Sequence, residues 1–199
     1  MNILLNKLPT TLTIEGVEIA IDSDFRTSIM FEQMLKDKTL IGEELSIKAI
    51  NLFYKCDGLI SESNSSEAIE KLMWFYRCGK ELKKANEETE RIHDEICSYE
   101  HDADDIYSDF LDQYGIDLQE IDYLHWWKFS AMFNGLSKDS NMKNKISIRA
   151  TDINKLPVEQ REYYKKLKKA YEIPHNEDEE EIDELDLALM NGGDLTGMI

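Results

Sequence analysis

Glycine and proline are scarce in this chain, cations are outnumbered, and long apolar runs are missing. Nine glycines and three prolines in 199 residues are too few for a many-stranded sheet with tight turns, and they suit long helices. No uninterrupted apolar stretch approaches the roughly 20 residues needed to cross a bilayer. The opening MNILLNKLPT has neither the long hydrophobic region nor the small-residue cleavage site of a signal peptide. Three cysteines, Cys56, Cys78 and Cys97, are an odd number without paired spacing, which fits free thiols in a reducing compartment. Lys and Arg total 23 against 41 Asp and Glu, a net charge of −18. Such a charge repels phosphate backbones and anionic lipid, which argues against nucleic acid and membrane surfaces and favours partners with basic patches.

The motifs of catalysis are also missing. There is no Gly-rich phosphate loop, no nucleotide-binding fingerprint, no Gly-x-Ser-x-Gly elbow and no Cys-x-x-Cys. His93, Cys97 and His101 are spaced four apart and would share a helix face able to ligate zinc. That site needs a fourth ligand from elsewhere, an unbroken helix past Ser98, and an Asp102 that is not a cap. Asp102, Asp104, Asp105 and Asp109 superficially resemble a calcium loop but lack its central Gly and terminal Glu. His125 reads as a packing histidine. The expectation is a non-enzyme without cofactor or metal.

What is present is folding sequence: 42% apolar residues and 10% aromatics are enough for a core, which disordered chains lack. Residues 11–21 alternate about Glu15-Gly16 and predict a small hairpin turned by Gly16. From Asp24 the period becomes helical. Phe25, Ile29 and Met34 or Leu35 mark one helix after an Asp cap, and Leu45, Ala49, Leu52 and Phe53 mark a second. Asn64 and Glu67 predict a capping box for a third, carrying Ala68, Leu72, Met73 and Tyr76 and closed by Gly79. Residues 80–91 are almost wholly charged and read equally as a solvated helix or a connector.

Asp102 can cap a helix bearing Ile106, Phe110 and Leu111, closed by Gly115. Asp117 can cap another, carrying Leu118, Ile121, Leu124, Trp127 and Phe129 and closed near Gly135, so that the two pack as an antiparallel pair. Trp126 and Trp127 stand about 100° apart on a helix and cannot share one core stripe. One is expected in the core, the other as a contact surface or beneath a neighbouring segment. Residues 137–145 read as a loop or the start of a short helix through Ile146. A helix after Pro157 carries Arg161, Lys165, Lys166, Lys168 and Lys169, cations expected to pair with carboxylates, and Pro174 follows its end. The last 24 residues hold nine acidic residues and no Lys or Arg. Ile182, Leu185 and Leu189 sit there at helical spacing, as in a tail that is mobile alone and helical when docked. The expected architecture is mainly α: a helical domain at 1–174 with its hairpin at about 11–21, then an acidic tail at 175–199.

Four stretches, LMWFYRCGKE (72–81), SYEHDADDIYSDFLDQYGIDLQEIDYLHWWKFSAMFNGL (98–136), REYYKKLKKAYEIP (161–174) and ALMNGGDLTGMI at the C-terminus, go together with the hairpin and the following Asp24-Phe25-Arg26. So combined, the chain resembles the bacteriophage gp-fifteen family of small tail proteins from phages and prophages of Gram-positive bacteria. The resemblance implies a tail assembly chaperone in the host cytoplasm that binds the tape-measure protein, and possibly tail-tube subunits. It carries no catalytic residues to transfer. The alternative is a structural minor tail subunit retained in the virion, and self-association stays open. On this reading a groove along the 103–136 helix pair, with Trp126, Trp127 and Phe133, receives an amphipathic helix. The stripe Ile182, Leu185 and Leu189 either mimics that helix or recruits the tube subunit.

Overall fold

A computed structural model describes residues 2–55, 60–80 and 96–174. It is mainly α, with one two-stranded antiparallel hairpin and seven α-helices among the described residues. The chain divides into two compact units, the first ending at Ser147 and the second beginning at Ile148.

Strands β1 (Thr11–Ile14) and β2 (Val17–Ala20) pair in the register Thr11–Ala20 to Ile14–Val17. The two turn residues, Glu15 and Gly16, both have positive φ (48° and 80°), the geometry whose twist matches paired strands. Alternation turns Leu12, Ile14, Ile19 and Ile21 inward. Helix α1 (Phe25–Lys36) starts at Asp24, whose carboxylate accepts from the Arg26 amide at 3.0 Å. Helix α2 (Gly42–Phe53) returns the chain to the hairpin, where Tyr54 bridges Ile21 and the Lys55 amide donates to the Ala20 carbonyl. Helix α3 (Ser65–Tyr76) packs against both α2 and β1.

The expected capping box on α3 does not form. Asn64 occupies the cap position, but its side chain accepts from Ser61 and donates to Glu15, and Glu67 accepts from the Glu15 amide. Both residues tie the hairpin turn to the helix start, a long-range use that local spacing does not reveal.

Helix α4 (Ala103–Tyr114) ends at Gly115 in the left-handed conformation (φ 65°). Its expected partner helix from Asp117 is shorter than its periodicity suggested. Asp117 caps a single turn, accepting from the Gln119 and Glu120 amides, and helix α5 begins only at Trp126 and runs to Asn134. The reason is competition for backbone groups. Residues 124–126 lie antiparallel to 23–25, with Phe25 N donating to Leu124 O at 2.9 Å and Trp126 N to Ser23 O at 2.8 Å. Leu124 N also donates to the Asp24 carboxylate. A helix through 118–125 would need the same groups.

Helix α6 (Asn141–Ala150) is begun from outside: buried Asp109 of α4 accepts from the Asn141 and Met142 amides at 3.0 and 2.8 Å. Phe129 is the centre of the first unit's core, stacked on Phe25 and Phe110 with centroids 4.8 and 4.9 Å away. Aromatic pairs of this kind add about 0.5–1.5 kcal/mol beyond their buried area.

In the second unit, a short 3-10 turn (Ile153–Lys155) leads into helix α7 (Val158–Ala170). Two of its five cations donate to carbonyl oxygens instead of the expected carboxylates. Arg161 reaches Leu156 and Asn154 and Lys168 reaches Thr151, while Lys165 is on an acid, Glu162.

Candidate functional site

Both tryptophans of the adjacent pair are buried, each 4% exposed, and Phe133 is 8% exposed. Of the two readings of the second Trp, a contact surface or cover by a neighbouring segment, the burial bears out the cover, and Phe133 too is buried instead of standing on a surface. Two adjacent residues on a helix can both be buried when different segments cover them. Trp126 stacks on Tyr76 and Trp127 meets Phe75 and Trp74, while their indole N–H groups donate to the Tyr76 and Phe75 carbonyls at 2.7 and 2.8 Å. Those carbonyls lie at the C-terminal end of α3, where intrahelical donors run out. The chain then turns away through Cys78 (φ 56°) and Gly79 (φ 68°). A Cβ on Gly79 would sit 2.8 Å from the Trp127 ring, so this glycine serves both turn and packing.

His125 is likewise structural. Its Nδ1 accepts from the Trp127 amide at 3.0 Å, capping α5, which leaves Nε2–H to donate to Pro9 O at 3.0 Å. Burial, with a smaller contribution from Lys128, holds its pKa below the ordinary histidine value. Arg26 clamps the 118–121 turn, donating to Leu118 O and Ile121 O at 2.7 and 2.8 Å while pairing with Asp24 and lying over the Phe25 ring. Asp24-Phe25-Arg26 and Leu124-His125-Trp126 therefore form one joint.

Three of the four carboxylates of the acidic string are also engaged in the fold, while Asp104 is exposed. Asp102 accepts from the Ser98 amide, Lys145 pairs with Asp105 and stands 3.7 Å from Asp102, and Asp109 caps α6.

His93 lies outside the described residues. Cys97 is buried and His101 exposed, and a turn from Ser98 to Asp102 separates Cys97 from α4, so the unbroken helix required for zinc is not present. Among the described residues no three His, Cys, Asp or Glu side chains are placed to hold a metal ion. Ile182, Leu185 and Leu189 lie outside the described residues.

What stays open is a pocket that the sequence did not point to directly. A cavity of about 360 Å³ is lined chiefly by Phe25, Ile29, Tyr99, Ile106, Leu118 and Phe129. Arg26, Ala103, Tyr107 and Gln119 complete its walls. The floor is the aromatic core, while Ala103 and Gln119 are exposed at the mouth. The Tyr107 hydroxyl donates to Asp117 at 3.0 Å, and that bond, with the charges of Asp117 and Glu120, pushes its pKa up. A signal existed: Ala103 and Tyr107 are four apart on α4, flanking the core stripe of Ile106 and Phe110, whereas Leu111, expected with that core stripe, is exposed and outside the lining.

No helix among the described residues is long and apolar enough to cross a membrane. No curated protein and no solved structure matches the chain. The family described as Bacteriophage Gp15 protein matches residues 4–173. That span takes in the hairpin, the Asp24–Arg26 joint, the aromatic run and α7, and the chain belongs to this bacteriophage Gp15 family, a family of phage structural or morphogenesis proteins.

Proposed function

We propose that this protein is a non-catalytic tail assembly chaperone that holds the tape-measure protein in the host cytoplasm until tail-tube subunits enclose it. The observation that supports this reading most directly is an apolar pocket opening on the surface of a chain with net charge −18. A tape-measure protein is a long helical chain with apolar stripes, and a holder for it needs a wet, acidic exterior and an apolar recess for side chains. His125 and Asp109 are engaged as caps, Arg26 as a clamp and Asp102 on the Ser98 amide, which favours binding over catalysis.

The test is co-expression with the tape-measure protein of the same phage, followed by a solubility assay and pull-down. A tape measure that becomes soluble and co-purifies, together with absence of this chain from purified tails, supports the reading. Presence in mature tails at fixed stoichiometry replaces it with a structural minor subunit. An insoluble tape measure with nothing co-purified removes it.

A further inference from the structure

We infer that the pocket between α1, the 99–107 segment and the 118–119 turn takes the apolar side chains of a basic amphipathic helix from a partner protein, with Asp117 and Glu120 beside the mouth reading its cations. This rests on the proposed binding role and names the chemistry of the partner at that site.

Size argues for side chains. An apolar cavity of about 150 Å³ holds one benzene-sized group, so about 360 Å³ accommodates two large side chains. Residues one turn apart on a helix, with Cβ atoms about 5–6 Å from each other, present such a pair. The lining offers little to orient a polar small molecule. Arg26 is committed to Asp24 and to two carbonyls, and the Tyr107 hydroxyl is donated to Asp117.

Charge selects the kind of helix. The acids lie beside the lining and not within it: Asp117 accepts from the lining Tyr107 hydroxyl, Glu120 follows Gln119 at the mouth, and Asp104 follows Ala103 on α4. The cation at this site, Arg26, is already paired with Asp24. A helix with lysines or arginines flanking its apolar stripe meets opposite charge, whereas an acidic one meets repulsion.

The probe is a synthetic 18-residue helix with a Leu/Phe stripe and lysines elsewhere. Its controls are the same stripe with glutamates and a lysine peptide with the stripe scrambled. Binding is read by calorimetry and by intrinsic fluorescence, since Tyr99 of the pocket contacts the Trp126 ring. The lysine-stripe peptide is expected to bind at least tenfold more tightly than either control. Ala103→Trp, which fills the mouth, is expected to abolish binding. Gln119→Lys, an exposed change that leaves the core untouched, is expected to weaken the lysine-stripe peptide about threefold to tenfold.

Equal binding of the scrambled peptide, or binding unaffected by both variants, overturns the inference. So does a wild-type dimer that Ala103→Trp turns into a monomer without any peptide bound, which would give the pocket to a second copy. The two levels separate in co-expression. If wild type retains the tape measure and both variants retain it equally, the pocket assignment fails and the chaperone reading stands. If wild type retains none while the peptide binds as expected, the chaperone reading fails and the pocket assignment stands.

Discussion

The two indoles of α5 close the end of α3, and this changes what their replacement should do. Had one Trp been a surface anchor, its truncation would leave stability nearly intact. Buried as both are, Trp126→Ala and Trp127→Ala should each cost about 3–5 kcal/mol. In thermal melts both should unfold well below wild type, and any lost partner binding should track the lost fold. A Trp variant with unchanged melting and lost binding would contradict this packing. Gly79 and Gly16 make a sharper comparison, since both have positive φ but only Gly79 is crowded, with Trp127 2.8 Å from its would-be Cβ. Alanine costs about 1–2 kcal/mol in the left-handed region, so Gly16→Ala should lose about that much. Gly79→Ala should lose clearly more, read as a lower urea midpoint.

His125 adds a dependence on pH. Its folded pKa is depressed, chiefly by burial, while the unfolded ring titrates near 6.5. Above that value the ring is neutral in both states and exacts no penalty. As pH falls below it, the unfolded chain takes a proton that the folded one refuses, so stability falls toward acid by no more than about 1.4 kcal/mol per pH unit. Urea unfolding at pH 7.5 and 5.5 should show this loss, and His125→Gln, less stable at both, should show a smaller one. Equal slopes would assign the loss to other groups.

At the scale of elements, Asp109 shows how one helix starts another. Asp109→Ala leaves the Asn141 and Met142 amides without their carboxylate, a loss of about 1–3 kcal/mol. Amide exchange in the first turn of α6 should speed up more than in α4, and Asp109→Asn, which keeps one acceptor, should fall between. This cap is long-range, which explains why α6 was only half legible and could be read from the sequence as loop or helix. The hairpin, α1, α2 and α4 were legible because their signals are local: alternation about Glu15-Gly16, the Asp24 cap, helical spacing, and Gly115 at a left-handed end. The helix expected from Asp117 stopped after one turn because 118–125 has helical spacing while Leu124 and Trp126 bond Ser23, Asp24 and Phe25, and Arg26 takes the Leu118 and Ile121 carbonyls. Exposure was harder to read than periodicity. Adjacent tryptophans indicate two faces, but not which segments cover them, and the pocket exists only where α1, α4 and the 118–119 turn meet.

At the scale of the molecule the governing quantity is the excess of 41 acids over 23 bases. Self-repulsion at net charge −18 weakens the compact state, and salt screens it over a Debye length of about 10 Å at 0.1 M. Raising NaCl from low to moderate concentration should therefore raise the melting temperature. The same screening should weaken capture of a basic partner, chiefly by slowing association. The two trends have opposite signs and a common cause, so measuring both on one preparation separates charge from packing. If melting rises and capture falls with salt, the acidic surface works against the fold and for the partner. If melting falls as salt rises, local pairs such as Lys145 with Asp105 outweigh the net field. If capture is indifferent to salt while melting rises, the partner is held by apolar contacts alone, and the acids serve solubility.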